Sequence, residues 1–437
     1  MDKPFRLKHP ITCENKSHII YSGEFILKNE ENLIVVDGVI EYRIISRAKV
    51  YITGIIKQTD SNIDLADHLF DIIINNEAYG KFFLTDTQIN SDPAKSSLKG
   101  FSDNFVWKID NIEEEEIIFY IPNLTDFTLG NIITDGQQMG GSRDRFIISS
   151  NDPLIFFDKV ADHKDKFNLL RSYGGIELTY VGGIIPGDNK AGLEDIQLKL
   201  IFFFSFINGR RITPILYNGI SKGRPVWNNF SSGIIEEYRY VSSWSNIHSP
   251  DFTDLWQEFN KLWQDEMDKD FLITLIHWYC EANSSSGKIE GAIVMMQTAL
   301  ELIYNWLIVE KLQKVNSKQK ITASQKIEYI LNELNVPIEI PPYYNSLISF
   351  NGNNGPCAIT EIRNALVHGN VNKRRKMLAV SNKMTFQVLD LGLWYVELSI
   401  LYILKYNGKY CNRTNSNKWK DEGDILPWGR ERTSDVS

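Results

Sequence analysis

Two periodicities divide the chain. Up to about residue 250 the apolar segments are short, β-branched and aromatic, and are set apart by Asn, Asp, Gly and Ser, the punctuation of strands. LIVV and VIEYRI flank Asp37-Gly38, and IQLKLIFFFSFI and RRITPILY flank Asn208-Gly209. Both dipeptides suit the positive-φ positions of a type I′ turn, so each pair predicts a hairpin. Leu200 to Ile207 is almost uniformly apolar, which predicts a strand covered on both faces, and Pro214 pushes its partner towards a sheet edge. The Gly-rich GQQMGGS at 136–142 marks a candidate division of this region into two β subdomains.

After Ser249-Pro250 the apolar residues recur three and four apart. TDLWQEFNKLWQDEMD, DFLITLIHWYCEA and GKIEGAIVMMQTALELIYNWLIVEKL read as helices, with further helical segments at about 322–335, 356–368 and 381–406. Residues 253–411 thus predict a bundle of five or six helices, and 412–437, poor in apolar groups, a loosely held tail. The expected fold class is α+β and multidomain: a β-rich, sandwich-like region over residues 1–250, then an all-α bundle.

Composition narrows the setting. With 43% hydrophobic and 23% charged residues the chain has the balance of a soluble globular protein, and its 437 residues exceed one ordinary core. The four cysteines, Cys13, Cys280, Cys357 and Cys411, contain no CxxC pair, which supports neither a disulfide framework nor a zinc knuckle; a reducing, cytoplasmic location is expected. MDKPFRLKHPIT lacks the apolar core of a signal peptide, and the long apolar runs are short or broken by Asp390 and Glu397, so no membrane span is expected. The net charge of −8 is uneven: residues 1–270 hold 28 Lys/Arg against 40 Asp/Glu, whereas 271–437 hold 19 against 15. A phosphate-bearing partner is therefore to be sought in the C-terminal third.

That third contains NGNNGPCAITEIRNALVHGN. Pro356 suits the first turn of a helix and Gly369 its left-handed C-terminal cap. Along the helix Asn364 and His368 share a face, and Arg363, offset from His368 by about 140°, is long enough to converge with it on one phosphate. Ile362, Leu366, Ala358 and Ile359 supply the core face, leaving Arg363, Asn364 and His368 towards a groove. Cleaving RNA without a metal requires a base for the ribose 2′-OH, an acid for the leaving 5′-oxygen and a fixed cation for the phosphorus oxygens. His suits the proton transfers near neutral pH, and Arg the bidentate grip on phosphate. The bland alternative is a helix-end His bonded to a carbonyl and an Arg in a surface ion pair. KRRK, Lys373, Arg374, Arg375 and Lys376, follows closely, either as a grip on neighbouring phosphates or as a solvated loop cluster.

An Arg directly followed by a polar residue, with a His five positions on, resembles the mark of the HEPN family of ribonucleases. The likeness covers about residues 255–410, including the long helix from Gly287. The β-rich half, with SRAKVYITGIIK and KLIFFFSFINGRR, is similar to the ApeA branch of that family, bacterial anti-phage proteins with a distinct N-terminal domain. The resemblance implies a homodimer through the helical domain that sets two RNALVH segments across one cleft. It also implies cleavage of RNA such as tRNA when a phage-derived trigger is sensed, with neither metal nor other cofactor. The rival is a non-catalytic RNA- or protein-binding module beside a β-rich ligand-recognition domain.

Other constellations carry less. Gln297 and Glu301 share one face of the long helix and either orient His368 or are simply exposed. His277 and Glu281 form half of a metal site without a second half, which makes a packed or surface pair the better reading. SSSGKI lacks the upstream Gly and following Ser/Thr of a phosphate-binding loop and reads as a helix start; Glu113 to Glu116 read as a solvated charge run.

Overall fold

The computed structural model describes residues 4–13, 16–44, 47–59, 69–88, 90, 96–136, 141–150, 153–187, 192–247, 250–284, 288–316, 319–367, 371–415 and 423–429. The chain forms two compact units: the first takes Met1–Asp126, Asn131–Gln197 and Ile212–Arg239, and the second Phe127–Gly130, Leu198–Arg211 and Tyr240–Ser437.

The first unit begins with six antiparallel strands, β1 (Ser17–Lys28), β2 (Leu33–Arg43), β3 (Arg47–Thr59), β4 (Leu69–Ile74), β5 (Glu77–Gln88) and β6 (Ser97–Ser102), in the order β3-β2-β1-β4-β5-β6. Because β6 also pairs with β3, the sheet closes into a barrel in place of the expected sandwich. Alternate residues point inward: Phe25, Leu27, Val36, Ile40, Val50, Ile52, Phe70, Ile72 and Phe82 are all buried. Closure also explains why Asp37-Gly38 is not a hairpin turn. β2 runs straight through it, with Gly38 opposite Gly23 on β1 and Gly54 on β3. A Cβ on Gly38 would lie 2.2 Å from the Thr53 carbonyl oxygen. These glycines let neighbouring strands approach where the barrel wall bends.

A second antiparallel sheet follows, of β7 (Val106–Lys108), β8 (Glu116–Pro122), β9 (Asn131–Ile133), β10 (Ser142–Ser149), β11 (Leu154–Lys159), β12 (Leu178–Ile185), β13 (Ile215–Ser221) and β14 (Arg224–Asn229), ordered β7-β14-β13-β8-β12-β11-β10-β9. The β-rich region thus changes sheet between residues 102 and 106, not at 136–142, of which 137–140 lie outside the described residues. Helix α1 (His163–Tyr173) separates β11 from β12, and β15 (Gly233–Ile234) returns to pair with β3.

The segment expected as a doubly covered strand is helix α2 (Leu193–Asn208). A uniformly apolar run fits a buried helix as well as a buried strand, and sixteen residues favour the helix. Glu194 and Asp195 favour its N-terminus electrostatically, and Gly209, at φ +71°, terminates it. Asn208-Gly209 is therefore a helix stop, not a hairpin turn. Pro214 precedes β13 and costs it no ladder bond, so β13 lies in the sheet interior between β8 and β14 with all seven residues buried, not at an edge.

The N-terminal segment is fastened to the second sheet. Arg6 bonds to Asp135, Asp144 and Ser142, and His9 stacks on Tyr120 with ring centroids 4.0 Å apart. His9 Nε2 lies 2.8 Å from the Leu216 carbonyl oxygen, while Nδ1 accepts from the Ile11 N–H at 3.1 Å. Burial holds its pKa down at about 4, outweighing the Leu216 and Ile11 carbonyls, which would favour a protonated ring. The unfolded chain, with an ordinary His pKa of about 6.5, binds this proton first, so the neutral ring stabilises the fold fully above that value. That stabilisation, about 3 kcal/mol, is lost as pH falls from about 6.5 through about 4. Urea denaturation followed by near-ultraviolet circular dichroism should show a steeper loss between pH 7 and 4.5 for the wild type than for His9→Gln. Parallel pH profiles would refute this role.

The second unit contains α3 (Phe252–Trp263), α4 (Glu266–Ser284), α5 (Ile289–Ile303), α6 (Ala323–Glu333), α7 (Asn345–Asn351), α8 (Gly355–Val367), α9 (Val371–Leu378) and α10 (Asn382–Ile403). These eight α-helices among the described residues exceed the expected five or six, because α7 and α9, seven and eight residues long, are too short to show an apolar period. Side chains set the boundaries: Asp251 caps α3, Ser381 caps α10, and Thr322 with Gln325 forms a capping box on α6. Helix α5 continues as a π-helix over Tyr304–Lys311. Two helical stretches, Ile289–Lys311 and Asn382–Ile403, are long and apolar enough to cross a membrane by length and composition, and both are mostly buried within the protein.

The segment expected as a loose tail is built in where it is described. β16 (Lys409–Tyr410) pairs with β17 (Asp424–Ile425), Leu426 is buried, and Trp428 donates to the Tyr406 carbonyl at 3.1 Å.

Candidate functional site

Helix α8 starts where the Asn354 side chain accepts the Cys357 N–H at 2.8 Å. Gly355 lets Tyr395 of α10 come close, since a Cβ there would stand 2.4 Å from its hydroxyl oxygen. Ala358, Ile359 and Ile362 are fully buried and Ala365 nearly so, whereas Leu366 is only half-buried. This face packs α8 among α5, α6, α7 and α10.

Arg363 and Asn364 lie beside that face, both half-buried. Arg363 Nη1 donates to Asn364 Oδ1 at 3.3 Å, and its Nε is buried without a protein partner. A guanidinium carries five N–H donors in a rigid fork. A buried Nε left unpaired costs the fold free energy. His368, with residues 369 and 370, lies outside the described residues, so the Arg363–His368 geometry does too.

KRRK is helical, not loop: it forms the middle of α9, which packs on α8. Arg375 is exposed; of the Lys373, Arg374 and Lys376 side chains nothing is described. Gln297 on α5 is 2% exposed, which removes its reading as a surface residue. It donates to Glu301 at 3.3 Å and keeps Oε1 buried without a partner, while Glu301 faces Lys326 of α6 at 3.9 Å. Glu281 is held by Arg211 at 2.8 Å, and His277 is exposed beside Trp278. Among the described residues no three His, Cys, Asp or Glu side chains gather as a metal-binding group.

The most elaborate polar cluster of this unit was not anticipated. Arg413, in the supposed tail, grips Glu397 through Nε at 2.7 Å and Nη2 at 2.8 Å, and Asp390 through Nη1 at 3.1 Å. Glu397 is fully buried and also accepts from the Tyr279 hydroxyl at 2.5 Å and the Trp244 N–H at 3.2 Å. Burial and the Glu397 charge push the Tyr279 hydroxyl well above its ordinary pKa. Burial alone would weaken the Arg413 charge, but Glu397 outweighs it and holds the guanidinium charged. With a 0%-exposed carboxylate and a 4%-exposed guanidinium the Arg413–Glu397 pair is sealed from solvent, which makes its role architectural. Asp390 and Glu397, one heptad apart on an otherwise apolar helix, were its sequence signal, because carboxylates so placed require a cation.

Residues 265–424 match the family described as the YopA C-terminal domain. Residues 110–241 match the YopA central domain. Over 423 residues the chain is 25% identical to the SPbeta prophage-derived uncharacterized protein YopA of Bacillus subtilis (strain 168), covering 94% of each chain. No solved structure matches. The YopA C-terminal match takes in α5, the RNALVH and KRRK segments and Arg413, and the YopA central match takes in most of the second sheet; the barrel precedes both.

Proposed function

We propose that the helical unit is a metal-independent endoribonuclease of HEPN type, with Arg363, Asn364 and His368 as its catalytic group and α9 as a flanking grip on RNA such as tRNA. The observation that carries this reading is the half-buried Arg363, whose Nε has no protein partner, five residues ahead of a histidine. The chemistry is transesterification: the ribose 2′-oxygen attacks phosphorus, the bond to the 5′-oxygen breaks, one group takes the 2′-OH proton and another protonates the leaving oxygen. His368 transfers a proton while Arg363 offsets charge on the non-bridging oxygens. A single histidine serves one of the two proton transfers at a time, so a homodimer through the helical unit supplies the second copy. The β-rich unit then acts as sensor, and the prophage origin in the relative's name fits a setting of phage conflict and abortive infection.

The chemistry makes its own test. Cleavage should persist in excess EDTA and leave 2′,3′-cyclic phosphate and 5′-hydroxyl ends. A substrate with a 2′-deoxy residue at the scissile position should bind without being cut. Cutting of that substrate, or activity lost to EDTA and restored by magnesium, would replace this mechanism with a metal-dependent one. Binding of RNA with no cleavage of any substrate would assign a non-catalytic module instead.

A further inference from the structure

Within the first unit, β7, β14 and the first turn of α2 line a cavity of about 680 Å³, inside the range of about 300–1,000 Å³ usual for small-molecule sites. Its platform is Trp227. A Cβ on Gly219 of β13 would stand 2.1, 2.4 and 2.7 Å from three successive atoms of the indole, so the bare strand meets the face of the ring, not its edge. The ring is pinned there by a hydrogen bond from Nε1 to Glu114 at 3.1 Å, and it is half-buried, lining the cavity as well.

Asn104, Asn111, Asn229 and Gln197 line the cavity as well, and a carboxamide has both donor and acceptor capacity. Gln197 Nε2 is buried without a partner. The charged groups are Asp110, Glu113 and Glu194 against Lys108, a balance that repels phosphate and carboxylate ligands. An ammonium ligand would suit the carboxylates but has only donors, and so leaves the Gln197 N–H unpaired. A hydroxyl both donates and accepts, and therefore answers the carboxylates and the carboxamides alike.

We propose that this cavity binds a neutral sugar ring, laid by its C–H face on Trp227 with its hydroxyls bonded to Gln197, Asn111 and the neighbouring carboxylates. The site does not involve residues 355–376, and it stands or falls apart from the nuclease reading. Saturation-transfer NMR on the full chain, with glucose, galactose, mannose, N-acetylglucosamine and ribose as separate probes, tests it; glucose 6-phosphate and choline serve as the anionic and cationic counterparts. At least one neutral sugar should receive saturation, strongest on its C–H protons. Glucose 6-phosphate and choline should receive several-fold less than that sugar. Trp227→Ala should abolish the transfer. Because that variant also disturbs the packing on Gly219, two rim variants that bury no new charge, Gln197→Leu and Asn111→Ala, should each weaken it several-fold with circular dichroism unchanged. The proposal is overturned if none of the five sugars receives saturation, if glucose 6-phosphate or choline is the preferred probe, or if the signal persists undiminished in both rim variants.

Discussion

His368→Ala and Arg363→Ala are each expected to lower RNA cleavage by roughly 10²–10⁴-fold, the usual contribution of a positioned proton-transfer group or of an electrostatic clamp on the transition state. Neither should cost much stability. Arg363 is half-buried beside a core face formed by Ala358, Ile359 and Ile362, and none of those contacts depends on its guanidinium. Truncation moreover removes a buried N–H that has no protein partner. Cleavage of a labelled tRNA pool, read on a denaturing gel beside melting curves of the same preparations, checks both halves. The dimeric site adds a sharper outcome: wild-type protein mixed with an excess of His368→Ala and left to exchange subunits should lose most of its activity, because a mixed dimer keeps one His368 where the two proton transfers need two. If either variant cuts RNA at the wild-type rate, the active site lies elsewhere. Loss of activity matched by a lowered melting temperature would turn Arg363 into a packing residue.

How much of this was legible beforehand follows from the range over which each feature is decided. Helices α3, α4, α5, α6, α8 and α10 were readable because amphipathic period and caps are local: Asp251, Thr322 and Ser381 stand next to the turns that they close. α2 was misread because its apolar residues surround it, so period could not separate helix from strand, and an Asn-Gly that ends a helix has the same letters as one that turns a hairpin. The barrel was misread for a different reason. Asp37-Gly38 is turn-like in isolation, and only the pairing of Gly38 with Gly23 and Gly54, and of β3 with β6, reveals a strand passing through. At the candidate site the helix bearing Arg363 and its core face were legible, whereas the burial of Gln297 depends on helices remote in sequence.

Arg413 illustrates that limit most clearly, and its removal is the largest stability effect expected in the chain. Its guanidinium neutralises Glu397 and Asp390, carboxylates of the core helix α10, and also bonds the Ser242 carbonyl and Asn283 Oδ1, each at 2.8 Å. Arg413→Met would keep most of the stem's apolar contacts but leave a fully buried carboxylate with only neutral donors, Tyr279 and the Trp244 N–H. Removing one partner of such a pair costs about 3–5 kcal/mol, because the surviving charge has lost its solvent and its counterion together. In a helical unit of this size that corresponds to a melting point lower by roughly 6–20 °C. Tyr279→Phe, which removes one hydrogen bond to the same carboxylate, should cost less, about 1.5–3 kcal/mol. The double variant Arg413→Met with Glu397→Leu should recover much of the loss, since replacing a buried ion pair by apolar groups of similar volume is often neutral. Denaturation followed by far-ultraviolet circular dichroism, which reports the helices, ranks the four proteins. If Arg413→Met lies within 1 kcal/mol of the wild type, or if the double variant is no more stable than the single one, the segment after β16 does not anchor α10 electrostatically. The carboxylates of that helix would then be held by Tyr279, Tyr344 and the backbone alone.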